Sequence, residues 1–163
     1  MKSDPPHLPW SLFVVYGPPS FNVRDVFWST LEDLVMKENK SVLVMGDLNG
    51  TLKDSECIIY SKPGNTSYYS FDLRRMVAWS GLIDIGALGL SFTWRKNCKK
   101  SNGLSSLKRA RLDRCIALAD WRVHFHKAIV TNIPTMSSDH NSIFLDTSGN
   151  HGRPRKKFMY ENM

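Results

Sequence analysis

The chain has no apolar run approaching the roughly 18 residues that cross a bilayer, so no membrane span is predicted. Its start, MKSDPPHLPW, lacks the apolar core of a secretory leader and predicts an intracellular protein. Cysteine is scarce. Cys57, Cys98 and Cys115 are three in number, far apart, and in no Cys/His spacing that would hold zinc, so free thiols are expected. There is no internal repeat. Acidic residues are outnumbered, 15 against 22 Lys and Arg, which leaves a formal charge of +7 and favours a polyanionic partner such as nucleic acid. Acids are scarcest in two places. Asp4 is the one acid before Tyr16, and Asp113 is the one acid among Arg95, Lys96, Lys99, Lys100, Lys108, Arg109, Arg111 and Arg114.

What is present is enough for one domain with a real core: 163 residues of ordinary apolar content. Residues 1–9 carry Pro5, Pro6 and Pro9 and should be irregular, 10–147 should form the domain, and 148–163 read as a basic tail or connector. Trp10–Tyr16 reads as a strand stopped by Gly17-Pro18-Pro19. Asn22 can cap a helix over Val23–Glu38, with Phe27, Leu31, Leu34 and Val35 on one apolar face. Ser41–Met45 is a short β-branched run suited to a strand buried on both faces. Thr51–Ser67 reads as loop, Ser70–Ser80 as a helix with Phe71, Leu73, Met76 and Val77 inward and Gly81 as its stop, and Leu82–Leu90 as a turn-rich connection. Ser91–Arg95 and Ala110–Leu118 read as strands joined by a polar hairpin tip. A helical turn over Asp120–Phe125 and strands over Ala128–Ile133 and Ser142–Asp146 complete the domain.

The chemistry centres on Ser41–Gly50, SVLVMGDLNG. A buried strand there delivers a carboxylate, Asp47, and an amide, Asn49, two residues apart, which an extended backbone points the same way. Read alone, Asp-Leu-Asn-Gly serves equally as a turn in which Asp47 and Asn49 cap their own backbone. His140 alone reads as a surface histidine, and Asp113 as a partner of its flanking arginines. Trp94 reads as a packed core aromatic. His124, His126 and His151 match no motif.

Five motifs nevertheless stand in a fixed order: VVYGPP at Val14–Pro19, MGDLNG at Met45–Gly50, FTW at Phe92–Trp94, RLDR at Arg111–Arg114 and SSDHNSI at Ser137–Ile143. This order resembles the endonuclease/exonuclease/phosphatase superfamily, and most closely the endonuclease domain that precedes reverse transcriptase in plant LINE-type non-LTR retrotransposons. The resemblance runs from about Trp10 to Leu145. It implies an α/β (α+β) four-layer sandwich, two packed β-sheets flanked by helices. It implies Mg²⁺-dependent phosphodiester hydrolysis, with Mn²⁺ an alternative ion, on DNA in the nucleus. By the same resemblance Asp47 activates the attacking water, Asn49 holds that water or the phosphate, and Tyr16 contacts the phosphate or leaving group. Asp139 serves the metal, His140 binds the scissile phosphate, and Asp113 orients His140; these residues should converge on one cleft at the strand ends. Lys96, Lys99, Lys100, Lys108, Arg109 and Arg111 occupy the place of the hairpin by which such enzymes touch DNA.

The sequence departs from the family pattern at its start. The strand ending in Asn and the strand ending in the Glu that is the principal Mg²⁺ ligand are not found before Trp10. The chain therefore reads as the C-terminal two-thirds of a domain, with N-terminal strands missing, an exposed apolar sheet edge and an incomplete metal site. Two other readings stand beside the impaired nuclease: a non-catalytic module that binds nucleic acid, and an enzyme acting on a small phosphate ester, against which the long basic hairpin speaks.

Overall fold

A computed structural model describes residues 8–59, 62–99 and 105–149. The expected irregular start and basic tail fall mostly outside those residues, as does Lys100.

The apolar run Trp10–Tyr16 forms β1, and a turn of 3-10 helix at Phe21–Val23 leads into helix α1, Arg24–Lys37. Val23, not Asn22, is the residue before the helix, and no side chain caps it. The buried stripe of α1 is Trp28, Leu31 and Val35, whereas Leu34 is half exposed. Trp28 outcompetes its neighbours for the interior because its ring fills the largest volume. Strand β2 runs Ser41–Asp47, two residues beyond the apolar run. Gly46 does not end it. There φ is +145°, and a Cβ would lie 2.0 Å from the Val15 carbonyl oxygen, so glycine lets β1 and β2 approach closely.

The segment expected as loop contains a 3-10 turn at Asp54–Glu56 and two short strands, β3 at Cys57–Ile59 and β4 at Lys62–Pro63. Proline is accommodated because β4 is an edge strand. Helix α2, Phe71–Trp79, buries Leu73 and Met76 but leaves Phe71 exposed, and Gly81 follows it at φ +67°. The turn-rich connection holds β5, Leu82–Asp84, and β6, Leu88–Gly89. Strands β7, Trp94–Lys99, and β8, Ser105–Ala110, pair along their length from Trp94↔Ala110 to Lys99↔Ser105. The polar tip is thus mainly a paired ribbon. It carries little apolar alternation because neither face is fully covered, so periodicity did not reveal it. A break at Arg111-Leu112 separates β8 from β9, Asp113–Leu118; α3 at Ala119–His124, β10 at Ile129–Ile133 and β11 at Ser142–Asp146 follow.

The strands form three sheets among the described residues, with no barrel. The first has the order β1-β2-β9-β5, with β1 parallel to β2 and the other pairs antiparallel. The second is β11-β10-β6, and the third is β4-β3-β8-β7. This is a mixed α/β domain. Helices α1 and α2 cover one face of the first sheet: Trp28, Leu31, Val35, Leu73 and Met76 pack with Val42, Val44 and Ile116. On the other face Leu43, Cys115 and Ala117 meet Trp121 and Phe125 near α3, together with Val130 of the second sheet. Val42, Leu43 and Val44 are fully buried, so β2 is covered on both faces as its run of apolar residues predicted. Each such side chain contributes about 1.5–3 kcal/mol of transfer free energy.

The edge strand β1 is the exception. Leu12, Val14 and Tyr16 stand in register with Leu43, Met45 and Asp47 of β2 and so share their face, yet Val14 is 75 % exposed. The expected open apolar edge is there.

Candidate active site

Strand register builds the site. Tyr16 ends β1 opposite Asp47, which ends β2, and Asp47 is opposite Asp113, which begins β9. Three side chains therefore line up across the end of one sheet. The fourth arrives on the loop before β11: an isolated bridge joins His140 to Trp94, Asn141 N–H donates to the Thr93 carbonyl (2.7 Å), and Arg95 N–H donates to the Asp139 carbonyl (2.9 Å).

His140 Nδ1 lies 2.9 Å from an Asp113 carboxylate oxygen, and its Nε2 lies 3.9 Å from Asp47. An ionised carboxylate can only accept, so Nδ1 carries the proton and the tautomer is fixed with Nε2 turned towards Asp47. Partial burial pulls the His140 pKa down. The hydrogen bond and charge of Asp113 outweigh it, with help from Asp47 and Asp139, and the net shift is upward from 6.5. The Asp47 carboxyl is also raised, chiefly by burial, against the bond it accepts from Asn49 N–H. A half-buried carboxylate beside an imidazole whose pKa is raised is a pair suited to moving a proton.

Asn49 forms the self-capping turn that its sequence allows and also binds the Asp47 carboxylate. Its N–H donates to Asp47 Oδ1 (2.9 Å), which is the self-capping turn, and its own φ is +45°. Its side-chain amide donates to the Gly17 carbonyl (2.7 Å) and to Asp47 Oδ2 (3.1 Å). The turn thus aims the carboxylate.

Tyr16 reaches the same edge but is largely exposed. Asp139 lies on the site's rim. Its carboxylate accepts the Trp94 indole N–H at 3.1 Å, and it does not belong to the tight donor group of Asp47, Asp113 and His140, whose ligand atoms lie within 4.8 Å of one another. Trp94 is correspondingly not a buried core aromatic: it is partly exposed and lines the cleft. The cleft holds about 430 Å³ and runs from His140 and Asn49 past Lys108 to Thr66, Tyr69 and Ser70.

Two carboxylates and an imidazole do not by themselves make a site for Mg²⁺, which asks for near-octahedral oxygen ligation. Asp113 is engaged by His140, and Asp47 is engaged by Asn49. Among the described residues no third carboxylate joins the group.

Ribbon alternation divides the basic residues. Lys108 lies 5.7 Å over the Trp94 ring and lines the cleft, with Lys96 opposite it in register, whereas Arg109 lies over Phe92 (5.1 Å), one residue further along β8. Lys99 closes β7. Arg111 is placed differently from the expected DNA contact: its guanidinium pairs with Asp84 (2.9 Å) and Glu56 (3.6 Å) in a part-buried network. Arg111 lies in the non-strand step between β8 and β9, where it serves the sheet junction.

Two supports were missed in the sequence. The buried Thr93 hydroxyl accepts the N–H groups of both Leu112 and Asp113 (2.9 Å each), while its carbonyl takes Asn141 N–H. One residue thereby sets the spacing of Asp113 and His140. Arg114, side chain fully buried, bonds Glu56 and Asp84 beneath β9. Thr93 lay within the FTW motif, but nothing in a threonine's local sequence says that its hydroxyl meets another strand's backbone.

Neither a scan against protein-family models nor a search of curated proteins returns a match to this chain. No helix among the described residues is long and apolar enough to cross a membrane.

Proposed function

We propose that this domain is a phosphodiesterase of the endonuclease/exonuclease/phosphatase type, related to the DNA endonucleases of LINE-type retrotransposons, with a four-layer sandwich as its complete form. The observation that carries the reading is the meeting of Asp113, His140 and Asp47 at the ends of strands distant in sequence, with Asn49 aiming Asp47. In this reading Asp113 holds the imidazole, His140 Nε2–H donates to a phosphoryl oxygen, and Asp47 takes a proton from the attacking water. Lys108 and Lys96 neutralise DNA phosphates along the ribbon. Mg²⁺ would supply charge neutralisation at the phosphate, and it needs oxygen ligands beyond those the described residues bring together.

The test is nicking of supercoiled plasmid with Mg²⁺ or Mn²⁺ by the chain as it stands and by a form carrying the Asn- and Glu-bearing strands. Activity is expected in the extended form and is abolished there by Asp47→Ala or His140→Ala. Nicking by neither form refutes the hydrolase. The second reading, binding without turnover, is favoured because no third carboxylate joins the group among the described residues. It predicts weak, salt-sensitive DNA binding in the chain as it stands.

A further inference from the structure

Three exposed aromatic side chains sit together beside the cleft, where they build no core. Phe21 and Tyr68 are stacked with centroids 4.9 Å apart and planes 15° apart, and Tyr69 meets Tyr68 edge-on at 5.6 Å. Their exposures are 41 %, 68 % and 61 %. Tyr69 lines the same cleft as His140, Asn49 and Lys108.

The loops that carry these rings are held firmly. Arg24, at the start of α1, is buried, and among the described residues no carboxylate bonds its guanidinium directly. Instead it donates to the carbonyls of Pro18 (3.1 Å), Pro19 (3.2 Å) and Tyr69, clamping the Phe21 loop to the Tyr69 loop. On the far side the Thr51 and Thr66 hydroxyls are 2.6 Å apart, and Arg74 pairs with Asp54 at 2.8 Å beneath them. A rigid amphipathic surface of Phe and Tyr loses little conformational entropy on binding.

We propose that Phe21, Tyr68 and Tyr69 form a base-stacking platform, and that the nucleic acid taken by this cleft presents an unpaired nucleotide to it. Charge favours this occupant: the cleft's Lys108 and the chain's +7 excess suit a phosphate backbone. Aromatic faces then select the state of that backbone. Bases in a duplex cover one another, whereas a single strand offers a π-face at every nucleotide. The inference rests on the cleft being a nucleic-acid site, and it holds whether or not the site is catalytically competent.

The experiment is fluorescence anisotropy on the full chain in EDTA, with a short fluorescein-labelled oligothymidylate and a blunt hairpin duplex as probes. Tyr68→Ala and Phe21→Ala should each bind the oligothymidylate about tenfold more weakly, as loss of one base–aromatic stack predicts, while duplex binding changes by less than about twofold. Tyr68→Phe should restore the wild-type value. Independently of any variant, a 2-aminopurine placed in the single strand should be quenched on binding to the wild-type chain. Unchanged binding in both alanine variants, equal losses on both probes, or no quenching overturns the platform. If the wild-type chain binds neither probe, the nucleic-acid reading of the cleft falls with it. If stacking is observed but the extended form never nicks, the platform stands and the hydrolase reading alone is lost.

Discussion

Arg114→Met should cost about 3 kcal/mol of folding free energy. The Arg114 side chain is fully buried, with 2.9 Å and 2.8 Å contacts to Glu56 and Asp84, and it also donates to the Arg111 carbonyl. Two carboxylates and two guanidiniums balance there, so removing Arg114 leaves a net negative charge in a part-buried cluster. Breaking such a pair from one side costs about 3–5 kcal/mol. The low end applies because Arg111 still reaches both carboxylates. Domains of this size are stable by about 5–15 kcal/mol, so the variant should fold with a clearly lowered urea midpoint. The double variant Arg114→Met/Glu56→Gln should recover part of the loss. The pH dependence gives a second readout. Burial raises the Glu56 carboxyl, but the bond and charge of Arg114 outweigh it, and the net shift is downward from 4.5. A carboxyl lowered in the folded state stabilises fully above its unfolded value and loses that contribution as pH falls through the folded value. The wild-type chain should therefore weaken below about pH 4.5, and Arg114→Met should flatten that limb. A midpoint change worth less than about 1 kcal/mol would refute the assignment of this cluster as a structural lock.

Asp113→Asn should lower the His140 pKa, read from ring resonances in an NMR pH titration. Because the folded value is raised, the pair's contribution to stability is complete below the ordinary 6.5 and is lost as pH rises through the folded value. An unmoved His140 titration in the Asn variant would show that the 2.9 Å contact does not set the charge of the imidazole. Thr93→Val keeps the side chain's shape but removes the acceptor of two N–H groups, at roughly 1–3 kcal/mol for each group left unsatisfied. Thr93→Ser should retain most of the wild-type urea midpoint, and equal midpoints for Val and Ser would mean that the hydroxyl bonds carry no weight.

The central strand and the chemistry at its end were legible because both are written locally. Val42–Val44 is an apolar run, and Asp47-Leu48-Asn49-Gly50 carries its turn and its carboxylate in four consecutive residues. The partnership of Asp113 with His140 came from motif order, and no local pattern in the RLDR or SSDHNSI stretches implies it. What was not legible depended on neighbours. Arg111 looked like one more cation in a basic ribbon, since nothing nearby in sequence announces that Glu56 and Asp84 would reach it. A hairpin was expected at β7 and β8, but the length of its paired strands was not, because its polar composition reflects exposure and not the absence of pairing. Leu34 and Trp28 show the limit of helical periodicity: both fit a plausible stripe, and packing volume decided between them.

The exposed strand β1 and the carboxylate–imidazole group lie at the end of one sheet. Tyr16, Asp47 and Asp113 follow one another across β1, β2 and β9, and His140 is held on the Asp113 side. The proton-handling groups thus occupy one flank of Asp47. The other flank is Tyr16 on an edge strand, and the apolar face leading to it, Leu12 and Val14, is uncovered. A strand added beside β1 would flank the Leu12 and Val14 side chains and would set its terminal side chain next to Tyr16, across Asp47 from His140. Oxygen donors delivered there would lie across Asp47 from the imidazole. Stability should therefore rise when such a strand is supplied, and on the proposed hydrolase reading Mg²⁺ binding should rise with it.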